Sequence, residues 1–170
     1  MCIRDSVCIV DAHPKVEKGY APYDEGMAGN YFVKNPDGTV YEAPVWPSHA
    51  DKDPGPSVFP DFSNPAARKW WGSLYKSFLD IGVAGIWNDM DEPAVFNTTS
   101  GTMPLDVVFN NEGQPTTHRE IHNVYGQLLT CATFEGLSRL RPNERPFVCL
   151  LYTSSAWCGI QACTYFPGER

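Results

Sequence analysis

The chain has 170 residues, 42% hydrophobic and 13% aromatic, the length and composition of one globular domain with a packed core. Twenty acidic against thirteen basic residues leave a net charge of −7, with no run of Lys and Arg longer than two, so a nucleic-acid backbone has little to hold. No apolar run approaches the roughly 18 residues of a membrane span, and the opening "MCIRDSVCIV" is short of apolar residues for a secretory signal.

The first element is "VCIVDAH" (7–13), a short continuous apolar run of the kind found in strands buried on both faces of a parallel sheet. A Gly-, Pro- and aromatic-rich excursion follows, in which "NYFVKNPDGTVYEAPVW" predicts a hairpin turning at Asn35 to Gly38. In "SNPAARKWWGSLYKSFLDIG", Asn64 can cap a helix and Pro65 suits its first turn. Ala67, Trp70, Trp71, Leu74, Tyr75, Phe78 and Leu79 recur at helical spacing, and Gly82 lies just past the end. The Trp70-Trp71 pair is assigned to the core.

A second continuous run, "VAGIWNDM" (83–90), comes next, and then "HREIHNVYGQLLTCATFEGL", whose Ile121, Val124, Tyr125, Leu128, Leu129 and Ala132 form one helical stripe. "RPFVCLL" (145–151) is a third strand-like run. The order strand, helix, strand, helix, strand belongs to the α/β class. A (β/α)8 barrel needs about 250 residues, so the expectation is a fragment of a TIM barrel, about three consecutive βα units with an elaborated, hairpin-containing loop.

The six cysteines (Cys2, Cys8, Cys131, Cys149, Cys158 and Cys163) have no zinc-like spacing and are expected to be thiols. His118 and His122 stand four apart, a spacing that would share a helix face, yet no third ligand is evident, and neither a metal nor a cofactor is expected. The triplet "NTT" at Asn97 matches a glycosylation acceptor by pattern only.

Carboxylates cluster where the second apolar run ends, at Asp89, Asp91 and Glu92. Side chains alternate along a strand, so Asp89 shares a face with Trp87 while Asn88 takes the other. An indole beside a carboxylate suits sugar chemistry, the ring stacking on a pyranose while the acid lies under the anomeric carbon. The plainer alternative is a strand-end aspartate that caps the following turn.

The longer string "GIWNDMDEPAVF" closely resembles the nucleophile signature of glycoside hydrolase family 31, the α-glucosidases and α-xylosidases, usually written W-x-D-M-N-E-P. "IVD", "YDEGMAGNYFVKNPDG", "VWP", "GPSVFPDFSNPAARKWWGSLY", "TMPLDVVF" and "HREIHNVYGQ" extend the likeness over residues 7–148, in the family's order. The resemblance implies a partial catalytic barrel from a retaining, exo-acting α-glycosidase that forms a covalent glycosyl enzyme, with an oligosaccharide or α-glucoside as substrate. By the same resemblance Asp89 is the nucleophile and Glu92 a supporting acid. Ile9, Trp46, Trp87 and Met90 are walls of the sugar subsite.

Two departures fall inside the match. The family usually has asparagine where this chain has Asp91, so either that side chain turns away from the sugar or the nucleophile loses acidity. "SHADKDP" (48–54) looks like an insertion lengthening the loop over the site. The family's acid/base motif, W-T-G-D-N-like, does not occur in this chain, and Leu151 stands where a sugar-binding arginine is usual. Residues 1–6 and 149–170 lie outside the match and are expected to be artefactual or disordered ends. A chain without the acid/base is expected to be inactive alone; the alternatives are a non-catalytic fragment binding sugar weakly through Trp46 and Trp87, or a transglucosidase using the same intermediate. Asp11, Asp61 and Glu92 are the acids to consider should a second carboxylate act within these residues.

Overall fold

The computed structural model describes residues 6–45, 55–96 and 98–150. Trp46, the 48–54 insertion, Asn97, Leu151 and the cysteines Cys2, Cys158 and Cys163 lie outside the described residues.

In chain order the elements are β1 (Val7–Asp11), α1 (Ala21–Gly29), β2 (Glu42–Ala43), β3 (Ser57–Val58), α2 (Pro65–Leu74), α3 (Lys76–Asp80), β4 (Gly85–Asp89), β5 (Val108–Phe109), β6 (Thr116–Thr117), α4 (His118–Ile121), α5 (Tyr125–Leu140) and β7 (Val148–Leu150). The three apolar runs become β1, β4 and β7, a parallel sheet in that spatial order. Helices α2–α3 connect the first pair and α4–α5 the second, which is the predicted βαβαβ series, and no barrel closes among the described residues.

Local chemistry sets the ends of these elements. The Asn64 side chain accepts from the Ala66 N–H (2.9 Å) at the start of α2, and Pro65 follows in the first turn, where its missing N–H costs nothing. The expected single helix over 65–79 is interrupted at Tyr75, which begins a second short helix. Tyr75 is buried and its hydroxyl is held from two sides, accepting from Trp71 Nε1 (2.8 Å) and bonding Thr133 Oγ1 (2.9 Å).

The hairpin turns where predicted. Tyr41 N–H donates to Val33 O (2.9 Å), Asn35 N–H to Thr39 O (2.8 Å), and Gly38 takes φ +86° at the tip. Helix α1 was not expected, because only Gly26 of its nine residues is buried and no apolar stripe announces it. Pro22 in its first turn and the left-handed Asn30 that ends it (φ 56°) are the signals it does carry.

Two expectations about burial are corrected. Val7 and Ile9 are 45% and 53% exposed, so β1 is covered on one face only, the face turned to the helices. The other face is the one a complete barrel would line and cover. Val124, placed on the buried helical stripe, is exposed, because residues 122–124 form a tight turn that shifts it off the face carried by Tyr125, Leu129 and Ala132.

The helices meet at glycines. Gly72 of α2 faces Gly136 of α5, and a Cβ on Gly72 would lie 2.8 Å from both the Gly136 Cα and the Ala132 carbonyl. Backbones this close leave no room for a methyl group on either side. Gly136→Ala is therefore expected to destabilise the fold by about 1–3 kcal/mol. A urea midpoint equal to that of the parent would show that the helices can separate without loss.

Candidate active site

The site is built at the C-terminal ends of β1 and β4. Their register pairs Val7 with Gly85, Ile9 with Trp87 and Asp11 with Asp89. Alternation along each strand then puts all six on one face, the uncovered one. Asn88 points oppositely and is fully buried under α5, where its Oδ1 accepts from Thr133 Oγ1 (3.1 Å).

The turn after β4 brings Met90 next to Asp89. Met90 takes a left-handed φ of 57°, and its N–H donates to Asp89 Oδ1 (2.9 Å), so the carboxylate both ends the strand and is held by it. Both readings of this aspartate, reactive acid and turn cap, are therefore compatible. The peptide between Glu92 and Pro93 is cis. Glu92 is exposed, and its charge acts on Asp91.

Asp91 turns away from the Asp89 face. It is 7% exposed, and its Oδ2 lies against Gly126 near the start of α5, 2.6 Å from where a Cβ would stand. Gly126 makes the space that Asp91 occupies. Burial first, then the charges of Glu92 and Asp89, hold the carboxyl up at about 6. Oδ2 has no hydrogen-bond partner among the described residues.

The sequence-predicted residues thus divide. Ile9, Trp87, Asp89 and Met90 come together; Glu92 sits at the rim of the turn; Trp46 is outside the described residues. Asp11, named from the sequence as one of three acids to consider for a second carboxylate, is the one that pairs with Asp89: "VCIVD" and "GIWND" both end in aspartate at the fifth strand position. Asp61 is far from idle but serves the scaffold. It is buried and accepts from the Ser63 N–H (3.0 Å) and the Asn110 N–H (2.6 Å), tying the loop after β5 to the entry of α2.

His118 and His122 do share a face. Nδ1 of His118 donates to Met103 O (3.0 Å), which leaves its Nε2 to accept from His122 Nδ1 (3.3 Å). Both rings are engaged within the protein, and no cluster of three His, Cys, Asp or Glu occurs among the described residues. A cavity of about 630 Å³ opens beside β1, lined by Val10, His13, Tyr20, Trp71, Tyr75 and Phe78 among others. It lies at the free edge of the sheet, where a barrel would add its preceding strand, and neither Trp87 nor Asp89 reaches it.

Residues 3–166 match the family described as glycosyl hydrolases family 31 TIM-barrel domain. The chain is 46% identical over 155 residues to alpha-glucosidase 2 of Bacillus thermoamyloliquefaciens, covering 91% of this chain and 18% of that protein. It is 40% identical over 149 residues to neutral alpha-glucosidase AB of Mus musculus, covering 85% of this chain and 15% of the relative. Among solved structures, the glucosidase II alpha subunit with Glc1Man2 bound superposes with a TM-score of 0.71 at 37% identity, over 85% of this chain and 15% of that one. The chain spans less than a fifth of the length of each of these relatives.

The titration of Asp91 is measurable. Folded, it holds its proton to about pH 6, whereas unfolded it ionises near 3.8, so the folded state loses stability as pH rises between those values. Asp91→Asn removes that loss. The variant is expected to match the parent below pH 4 and to exceed it by roughly 1–3 kcal/mol above pH 6, read as a difference in thermal midpoint that opens between the two. A gap that does not change with pH would place Asp91 in water.

Proposed function

Because the chain belongs to glycosyl hydrolase family 31 and forms a segment of that family's TIM barrel, we propose that it is part of a retaining, exo-acting α-glycosidase whose nucleophile is Asp89. The observation that carries this reading is the position of Asp89 beside Trp87, at the C-terminal end of a parallel strand and on the face that a barrel turns inward. Barrel enzymes assemble their chemistry at that end of the strands. The substrate class follows the relatives, which are named α-glucosidases: an oligosaccharide or α-glucoside with a terminal α-linked sugar.

Asp89 would attack the anomeric carbon while the glycosidic oxygen leaves, giving a β-linked glycosyl ester, and water would then open the ester with net retention. Trp87 and Ile9, paired across β4 and β1, would wall the sugar, with Met90 on the turn above; Trp46, outside the described residues, is proposed as a further wall from the family resemblance alone. The Met90 N–H on Asp89 Oδ1 aims the carboxylate and leaves Oδ2 for the attack. Asp91, packed against Gly126, keeps its extra charge off the sugar side. The carboxylic acid that protonates the leaving oxygen would be contributed by a part of the enzyme beyond this chain.

In the full-length enzyme, Asp89→Asn should lower kcat by several orders of magnitude with the thermal midpoint kept, since covalent catalysis is lost and packing is untouched. Retention of more than about a tenth of parental turnover would remove Asp89 from the role.

The 170-residue chain alone is expected to leave maltose unhydrolysed. General acid assistance is worth about 10²–10⁴ in rate, and the exposed Val7, Ile9 and Phe147 mark an unfinished inner wall. An activated glucosyl fluoride, whose leaving group needs no proton, is the substrate with which trace labelling of Asp89 would be seen. Maltose turnover by the purified chain would show instead that a second carboxylate works within these residues.

A further inference from the structure

The turn that carries Asp89 is held at three points. Met90 N–H donates to Asp89 Oδ1 (2.9 Å), and the Met90 carbonyl accepts from the Ala94 N–H (3.2 Å). Asp91 supplies the third. Its Oδ2 stands 2.6 Å and its carbonyl oxygen 3.3 Å from where a Cβ on Gly126 would be, so side chain and backbone both rest on the start of α5. Between these points Met90 takes φ 57°, a left-handed conformation that a residue other than glycine keeps only where its surroundings hold it.

The Asp91 seat is closed to water and offers no balance for a charge. Asp91 is 7% exposed, and its Oδ2 finds no hydrogen-bond partner among the described residues. The charged groups that act on it, Glu92 and Asp89, are both acids from its own segment. From α5 the neighbouring group is Tyr125, which burial, Asp61 and Asp91 together keep a neutral phenol, and whose hydroxyl donates to Pro60 O (3.0 Å) rather than to Asp91. Asp61, on the far side of Tyr125, accepts from the backbone of Ser63 and Asn110. A carboxylate in this seat would lack a counter-ion, whereas a neutral group of the same shape fits.

We propose that Asp91 is a positioning residue that acts through Asp89: seated against Gly126 as the neutral acid, it fixes the far end of the turn that aims the nucleophile, and on ionising it leaves the seat and frees the turn. The proposal rests on Asp89 being the nucleophile. The Asp91 proton exchanges with water and takes no part in bond making at the sugar, so its loss removes aim and not chemistry. Burial first and Glu92 next hold the carboxyl up at about 6, against the pull of its own backbone N–H. The aimed turn is therefore present below that pH and is lost as pH rises through it. Asparagine, usual in the family at this position, would keep the seat at every pH.

The test uses the full-length enzyme and its Asp91→Asn variant, which keeps the shape of the side chain and cannot ionise. The ratio of kcat/KM, variant over parent, cancels the titration of the groups that the two share. It should stay near one below about pH 5, climb through about pH 6 and reach about tenfold near pH 7. The gain should lie in kcat, with KM within about twofold, because aim and not sugar binding is restored. Asp91→Ser, smaller and neutral, gives the same reading should Asp91→Asn fold poorly. Gly126→Ala, whose methyl group forces Asp91 off its seat, should lower kcat by roughly ten- to a hundredfold even at pH 5.

Labelling with 5-fluoro-α-glucosyl fluoride, located by mass spectrometry, separates the two readings. A label on a residue other than Asp89 overturns the nucleophile assignment and the role of Asp91 with it. A label on Asp89 with a ratio that does not change with pH, or with parental kcat in Gly126→Ala, overturns the role of Asp91 alone. A purely structural Asp91 would shift the thermal midpoint and scale the rate by one factor at every pH.

Discussion

A buried chain of hydrogen bonds decides which way the central strand faces. Trp71 on α2 donates to the Tyr75 hydroxyl, which bonds Thr133 on α5, which donates to Asn88 at the heart of β4. Tyr75 and Asn88 are withdrawn from water, and burial pushes the tyrosine hydroxyl up to about 12, so it remains a neutral donor. An amide inside an apolar layer is costly without a partner. Thr133 satisfies the Asn88 Oδ1, while Nδ2 has no hydrogen-bond partner among the described residues; with Asn88 turned toward the helices, the pleat sends Trp87 and Asp89 the other way.

The rest of the architecture supports that orientation. Gly72 and Gly136 bring α2 and α5 close enough for Tyr75 and Thr133 to meet across the helix interface. Gly126 leaves space at the start of α5, and Asp91 fills it, so the acid two residues beyond Asp89 is drawn to the helix side rather than left on the inner face. Asp61 fastens the loop after β5 to the entry of α2 through the Asn110 N–H. The outer layer is thus well connected, whereas the inner face keeps Val7 and Ile9 in water. That asymmetry is what a slice of a barrel should show: its helices already cover one side of the sheet, and only neighbouring strands can cover the other.

The family membership and the geometry inform each other. Similarity to α-glucosidases runs over most of this chain and under a fifth of theirs. What this segment contributes is one strand end with Asp89, a neighbouring strand end with Asp11, and the aromatic and aliphatic side chains between them.

Local pattern determined the order of elements. Continuous apolar runs marked β1, β4 and β7, helical spacing marked α2 and α5, and the Asn64-Pro65 pair marked a helix start, because each of these signals is a property of a few consecutive residues. The motif around Trp87 and Asp89 likewise lay in one stretch and pointed to family 31 by itself. Helix α1 escaped, since it buries almost nothing and leaves no periodicity to detect, and Val124 was misplaced because a tight turn breaks the helical phase there. Only the tertiary structure decided that Asp11 stands opposite Asp89, that His13 reaches back to it, and that Asp91 is buried against Gly126. Register between strands separated by more than seventy residues is set by hydrogen bonds and packing across the sheet, and no sequence period records which partner a residue will meet.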